Sequence, residues 1–558
     1  MHKLKNHIPI ILVLLIGFML RIVGLNWDQG YHLHPDERFL TMVALDIQWP
    51  QSISQYFDTS ISPLNPHNKS FDFFVYGLWP VLLVKAVSQA IMLHDYSSLN
   101  LVGRVLSAIV DTATVLVIYK TVLYLARRRL SAFLASATYS LFVLPLQLSH
   151  YFATDPYLNF CLALTLYLLT IFLSVTRPWR QAILIGLTFG LAVSAKVSAV
   201  LFAPIIVLGF VIHLFRFRAL RPLFFSGLIM SVVIFVTLHL FYPYLFSGFF
   251  TPNPKLLANW QQLKFLEVPS PHFPPSVQWA DTQKFIFPLL NLFFVGLGPV
   301  WSLVFVAAII SQKWIRNSGL WLVLTWTLLL FLLQGSQAIK PLRYLLPIFP
   351  GLAIMIGFYL GHLPKRVILF TLLIGSVWGL GFLSVYTHPH PRVAASEWMY
   401  KNIPAGTTIS CDLWDDCLPL SNRSYTLIET RPFDPDSTQY LSKLSQIQYL
   451  AISSNRTYGS VTHKPDFYPQ TSVFYTDLFS SKAGFKKIAE FTSRPGFAIP
   501  GIHFCFTPPI LDYGRVAGIS CDTPGIWLVD DFVDESFTVY DHPRVTIFEK
   551  TSSLEPKI

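Results

Sequence analysis

The residues best equipped for chemistry crowd into one short stretch, residues 31–40, YHLHPDERFL. Asp36 and Glu37 are neighbours there, so on a helix they point about 100° apart. One could face a substrate while the other holds a metal, a basic side chain or a helix end. Pro35 suits a first helical turn and both acids suit a helix N-terminus, so a capped surface helix is the plain alternative. A second polar set is HYFATDPYL, with His150 and Asp155; Thr154 could simply cap the next helix. Lys196, in AKVSA, sits between two short apolar segments, where a lysine is costly unless paired, hydrated or snorkelling. Lys340 and Arg343 stand in AIKPLRYLLPIFP, and an arginine beside Tyr344 at a helix start makes a good phosphate ligand. Asp111 lies on the same helix face as Arg104, a spacing that predicts an internal ion pair. A carboxylate can take a proton from an attacking hydroxyl. Cations can stabilise charge growing on a phosphate leaving group. Carboxylates beside phosphate-seeking cations therefore suit group transfer from a phosphate-bearing lipid.

The elements that must position these groups are apolar. Of 558 residues 53% are hydrophobic and 13% charged, and mean hydropathy is +0.50. Apolar runs of near-spanning length recur from residue 8 to about 387, which makes a polytopic α-helical membrane protein of about eleven spans. They are read at 8–25, 104–126, 130–149, 157–176, 181–195, 197–215, 223–243, 286–311, 319–339, 344–362 and 366–386. The first run lacks a small-residue cleavage site and is expected to be a retained helix. Residues 73–93 are apolar as well, but Gly77, Pro80, Lys85 and Gln89 suit a juxtamembrane helix lying in the interface.

The net charge of +11 is split unevenly. Residues 1–387 carry 26 Lys and Arg against 11 Asp and Glu; residues 388–558 carry 15 against 19. Such an excess in the membrane part fits topology and not nucleic-acid binding. Placing Lys3/Lys5, Arg127–Arg129, Arg177/Arg180, Arg216/Arg218/Arg221, Lys313/Arg316 and Lys365/Arg366 inside puts the N-terminus in the cytoplasm and the tail outside. The long first outer loop, 26–103, and every acid of the membrane part then fall on or near the outer face.

The tail, 388–558, is expected to be an extracytoplasmic α/β or α+β domain. QIQYLAISS, KKIAEFTS and SFTVYDHPRVTIFEK have strand character, with Asp-His-Pro as a hairpin turn. AASEWMYKNI reads as a short amphipathic helix. Cys411, Cys417, Cys505 and Cys521 could form two disulfides in any of three pairings, or remain buried thiols.

HPDERF, SPLNPHNKSFDFFVYG, GRVLSAIVDTATV, HYFATDPYL, GLAVSAKVSA and RYLLPIFP, in this order, resemble the lipid-carrier-dependent glycosyltransferases of the GT-C fold, relatives of protein O-mannosyltransferases and aminoarabinose transferases. The resemblance covers about two thirds of the chain, and SSNRTYGSV and ESFTVYDHPRVTIFEK extend it to the tail of one prokaryotic branch. It implies a multi-pass cell-membrane enzyme, a hexosyl- or pentosyltransferase. Its donor would be a polyprenyl-phosphate sugar and its acceptor hydroxyl would belong to a protein, glycolipid or polysaccharide, with inversion at the anomeric carbon. Asp36 takes the place of the general base, with Glu37 as its partner. Lys196, Arg343 and Tyr344 take the donor phosphate, and Asp155 supports them with His150 nearby. The histidines depart from the family pattern: His32, His34 and His150 could join Asp36 and Asp155 in binding a divalent metal (Mg, Mn or Zn), or serve as interfacial or hydrogen-bonding groups, while no cofactor is certain. Two other classes compete. A transporter or flippase of lipid-linked sugars would keep its ionisable groups near the midplane. A glycan-binding membrane scaffold would need only its tail.

Overall fold

The computed structural model describes residues 8–551 apart from 272, 435 and 436. The Lys3/Lys5 cluster lies outside the described residues. An apolar helix or bent helix pair stands at each span position read from the sequence. Among the described residues seven helices are long and apolar enough to cross a membrane. Two more candidates are bent pairs. Arg129–Ser140 and Val143–Ser149 meet at 60°, and Ile286–Gly296 and Pro299–Ile310 meet at 118°. Ile8–Ile22 and Trp179–Ala195 are shorter. This is a multi-pass membrane protein. The five described basic clusters lie at helix ends or in the turns that join two apolar helices.

Buried ion pairs tie the first helices together. Arg21 meets Asp111 at 2.7 Å, and the Tyr139 hydroxyl donates to the same carboxylate at 2.6 Å. Asp111 therefore pairs across helices and not with Arg104, seven residues away on its own helix. Side chains on one helix reach neighbours three or four residues off, and a separation of seven is too long for contact.

The first loop folds on its own cluster. Helices Pro35–Asp46 and Trp79–Ala90 pack together and against Tyr96–Ala126, with Leu40, Val43, Phe74, Leu78 and Val81 buried between them. Trp79–Ala90 has 12 residues, roughly 18 Å of helix, too short to cross a bilayer. Lys85 turns inward, its ammonium donating to the Ala44 carbonyl at 2.8 Å.

After the last apolar helix, Lys365–Leu383, the chain forms helix Pro391–Asn402 and then, among the described residues, eight strands. These are β1 Thr408–Asp412, β2 Thr426–Thr430, β3 Tyr449–Ile452, β4 Phe485–Phe491, β5 Gly496–Phe497, β6 His503–Phe506, β7 Gly525–Leu528 and β8 Val545–Lys550. One sheet runs β2-β1-β3-β8-β4, with β1 parallel to β2 and β3 and β8 antiparallel to both its neighbours. A smaller sheet runs β5-β7-β6. Mixed pairing with interleaved helices is the α/β or α+β character expected of the tail. Asp541-His542-Pro543 is not a hairpin turn. It follows the helical turn Glu535–Thr538 and is buried, with the Asp541 and His542 side chains hydrogen-bonded within the structure. The disulfides are Cys411–Cys417 and Cys505–Cys521. One apolar core runs from the helix bundle into this region, taking in Val393, Ile409, Val545 and Ile547.

Candidate active site

Helix Pro35–Asp46 begins at the chemistry. His34 caps it, Nδ1 accepting the Glu37 backbone N–H at 3.3 Å, and Pro35 fills the first turn. Asp36 and Glu37 then leave the helix toward different surroundings. Glu37 is fully buried, its two oxygens 2.9 and 2.8 Å from Arg104, and it also accepts the Phe152 N–H at 2.6 Å. Arg104 spends its remaining donors on Asp28, at 3.1 and 2.8 Å, and on the Leu25 carbonyl at 2.8 Å. Its guanidinium lies over Trp27. Two carboxylates and a carbonyl saturate one planar fork, which fixes the helix about its axis.

Asp36 consequently faces the other way. Arg343 Nη1 donates to it at 2.7 Å, and the Tyr76 hydroxyl donates to it as well. Burial opposes ionisation of Asp36, but the Arg343 charge overcomes it and holds the carboxyl well below the usual carboxylate range. Tyr76 is placed by the residue after it. The Gly77 N–H donates to the Ala195 carbonyl at 3.1 Å, and a Cβ at Gly77 would collide with the Ser194 and Ala195 carbonyls. That close approach ties the first loop to the end of helix Trp179–Ala195, where the chain turns extended at Lys196.

Lys196 meets Asp155 at 2.9 Å in a second, half-open ion pair. Asp155 opens helix Asp155–Phe172, and Thr154 makes no side-chain cap bond. The acid is thus directed at Lys196 and the hydroxyl does not act as the cap. Tyr344 joins the two pairs: Lys196 lies 5.3 Å from its ring centroid and Arg343 5.8 Å. Arg343 Nε is buried and has no hydrogen-bond partner among the described residues.

The C-terminal region closes over this set. Tyr540 and Tyr151 pack on the His34 ring at 4.2 and 4.5 Å. A small cavity between them is lined by His34, Gln147, Tyr151, Arg343, Ser536 and Tyr540. Burial pushes the Asp534 carboxyl up to about 7, and its Oδ2 is buried without a partner among the described residues. Asp541 bolts the two parts together, accepting from Tyr151 at 2.5 Å, Tyr386 at 2.7 Å and Gln147 at 3.1 Å. His542 sits between Asp541 and Asp530. On the rim, Arg38 reaches Asp416 of the tail at 3.1 Å.

Asp36, Arg343, Tyr344, Lys196, Asp155 and His34 are therefore brought into one neighbourhood. Glu37 is turned away and closed in. His150 is buried apart from them, its two nitrogens 2.7 and 3.0 Å from the Leu146 and Val23 carbonyl oxygens and its ring stacked on Tyr386. Among the described residues no three His, Cys, Asp or Glu side chains form a group able to hold a metal. The donor set does not suit one, since Asp36 and Asp155 already meet protein cations and His34 Nδ1 caps a helix. Sequence reading did not single out Tyr76, Tyr540 or Asp534. Tyr76 lies in SFDFFVYG and the other two lie in or beside ESFTVYDHPRV, both stretches conspicuous in sequence without any residue standing out.

Residues 91–257, which contain Asp155 and Lys196, match the family described as dolichyl-phosphate-mannose-protein mannosyltransferase. No curated protein matches the chain in sequence. Among solved structures the chain resembles the oligosaccharyltransferase of Archaeoglobus fulgidus in the apo form, at 12% identity and a TM-score of 0.50, over 97% of this chain and 88% of that one. The archaeal oligosaccharyltransferase AglB from Archaeoglobus fulgidus, in complex with an inhibitory peptide and a dolichol-phosphate, aligns at 11% identity with the same TM-score and coverage. ArnT from Cupriavidus metallidurans bound to undecaprenyl phosphate aligns at 12% identity and a TM-score of 0.49, over 98% of this chain and 99% of that one. The chain has the GT-C fold and carries, across residues 91–257, the sequence pattern of the dolichyl-phosphate-mannose-protein mannosyltransferase family.

Proposed function

We propose that this protein is a membrane glycosyltransferase that moves a sugar from a polyprenyl-phosphate carrier to an acceptor hydroxyl on the extracytoplasmic face. The observation that carries the reading is the two ion pairs, Asp36–Arg343 and Asp155–Lys196, each mostly buried but partly exposed, joined at Tyr344. Basic side chains held ready by carboxylates, with Arg343 Nε still unpartnered, suit a ligand phosphate. The family match and the dolichol-phosphate bound by AglB agree with that chemistry. In this reading a phosphate draws Arg343 and Lys196 toward itself. Asp36, released from its cation, regains basicity and takes the proton of the acceptor hydroxyl. The acceptor oxygen bonds to the anomeric carbon as the carbon–oxygen bond to phosphate breaks, with inversion. The electron pair leaves with polyprenyl phosphate, where Arg343 and Lys196 balance the new charge.

Glu37, with Arg104 and Asp28, holds the helix that aims Asp36, and no step uses a metal. The basic turns would face the cytoplasm, and a boundary at 387/388 would divide the membrane part from an extracytoplasmic domain. Purified protein in nanodiscs with a radiolabelled polyprenyl-phosphate hexose or pentose tests the reading. Carrier release that requires Asp36 and Arg343 is expected. Lipid-linked sugar crossing the bilayer with no transfer or hydrolysis would refute it.

A further inference from the structure

The small sheet β5-β7-β6 has two unlike faces. Strand register sets Phe497, Ile526 and Phe504 side by side on one of them, and all three are exposed, at 37%, 41% and 55%. Ile502, Ile510 and Ile519, in the adjoining loops, are exposed as well. Cys505 and Trp527 belong to the other face, which borders a polar cavity. Residues 495–528 contain three charged side chains, Asp512, Arg515 and Asp522. Asp522 lines the polar cavity, and Arg515 folds back on the Leu511 carbonyl and the Phe532 ring.

The apolar face continues the membrane surface. Phe506, next along its row, packs on Trp378 and Phe294 of the helix bundle, and Phe497 lies against Gly381. Trp378 precedes the end of helix Lys365–Leu383 by five residues, roughly 7–8 Å along its axis. The sheet therefore abuts that helix below its last turn, at the depth where aromatic side chains meet a bilayer interface. On the same helix Leu373, Val377 and Leu380 are exposed, as lipid-facing residues are.

We propose that the β5-β7-β6 face is seated in the lipid of the leaflet on the side of the C-terminal region. A contiguous exposed apolar patch calls for an apolar partner, and its continuity with the lipid-facing helix names lipid as that partner. The Cys505–Cys521 disulfide staples the sheet so that it keeps its shape in the interface. Seated this way, the tail cannot swing away from the helix bundle, and the roof over the Asp36 neighbourhood keeps a fixed height.

The test uses the full-length protein in nanodiscs. A bimane label is placed at Phe497→Cys or Ile526→Cys, with Val473→Cys on helix Pro469–Phe479 as the aqueous control. Lipids brominated high on the acyl chain should quench the first two labels at least twofold more than the control, and iodide should quench them at least twofold less. Equal access of iodide to all three sites would overturn the proposal, because the face would then be in water. Protection from both quenchers would overturn it too, because a second copy or another protein would cover the face. Should a cysteine variant not fold, a lipid-tethered diazirine on the unmodified protein decides. Adducts within 496–510 are expected, and adducts confined to the helices contradict the proposal.

Discussion

Asp36 and Glu37 are neighbours of the same chemical type, yet the structure gives them opposite consequences when each is made neutral. Asp36→Asn removes a carboxylate whose pair with Arg343 is partly open, with side-chain exposures of 21% and 24%. The Arg343 charge keeps partial access to water, so the stability lost should be about 1–2 kcal/mol, between an exposed pair and a buried one. The proton acceptor is gone, however, and general-base loss costs about 10²–10⁴ in rate. Glu37→Gln acts in reverse. It breaks a two-point pair with Arg104 in which neither side chain is exposed. Removing one partner of a buried pair costs about 3–5 kcal/mol. Asp28 remains to balance Arg104, and glutamine still offers one acceptor, which places the cost near the lower end, about 3 kcal/mol. Unfolding followed by intrinsic fluorescence in nanodiscs measures the first quantity. Carrier release per folded molecule measures the second. Asp36→Asn should unfold within a few degrees of wild type while losing at least a hundredfold in kcat. Glu37→Gln should unfold clearly earlier while keeping most of its kcat at low temperature. A Glu37→Gln protein with wild-type unfolding and Asp36→Asn-like inactivity would refute the division of roles.

Asp534 is destabilising when ionised. Its carboxyl is raised to about 7 from 3.8, so the native state holds a proton that the unfolded state releases, and stability falls as pH rises between those values, by up to about 4 kcal/mol. Asp534→Asn should raise the unfolding temperature at pH 8 and leave it unchanged at pH 4. Asp541→Asn should loosen the tail from the bundle and speed limited proteolysis near residue 388 severalfold, since Tyr151, Tyr386 and Gln147 all lose a charged acceptor. Gly77→Ala should cut carrier release at least tenfold through displacement of Tyr76, an effect that Gly227→Ala, whose Cβ would meet only an ordinary contact with Phe210, should not reproduce. In the free protein Arg343 holds Asp36 low; in the proposed mechanism donor binding diverts Arg343 and Asp36 recovers. The acid limb of kcat should therefore lie at higher pH than that of kcat/KM.

Fold class was legible because a bilayer imposes it. Apolar runs of spanning length and basic turns can be read residue by residue, and a helix or bent pair stands where each run was placed. The strands Tyr449–Ile452 and Phe485–Phe491 followed from local alternation as well. The Asp-His-Pro turn did not, because its conformation is fixed by distant partners: Tyr151 and Tyr386 are in the bundle, and no local pattern encodes them. The same limit governed Asp111, whose cation comes from the first helix. At the site, residue type pointed to Asp36, Asp155, Lys196 and Arg343, since each is expensive near a membrane unless something meets it. What type could not supply was direction. The 100° between Asp36 and Glu37 says that they part, and only Arg104, 67 residues on, decides which of them is closed in.

That decision bears on how water is kept from the reaction. A carboxylate free in an open membrane-face cavity would be basic before any acceptor arrived, and a bound sugar phosphate could then be lost to water. In the proposed mechanism Asp36, paired with Arg343 in the structure, stays quenched until a phosphate competes for the guanidinium. The same competition at Lys196 would release Asp155, and Tyr344 lies against both cations, so the two proposed exchanges share one aromatic ring. Donor binding and base activation thus become one electrostatic event. The tail adds the second condition. Tyr540 lines the same small cavity as Arg343, and the charge of Arg343 acts on the buried Asp534 carboxyl. On the proposed reading Arg343 returns to Asp36 when polyprenyl phosphate departs, and the base is quenched again before the next donor enters.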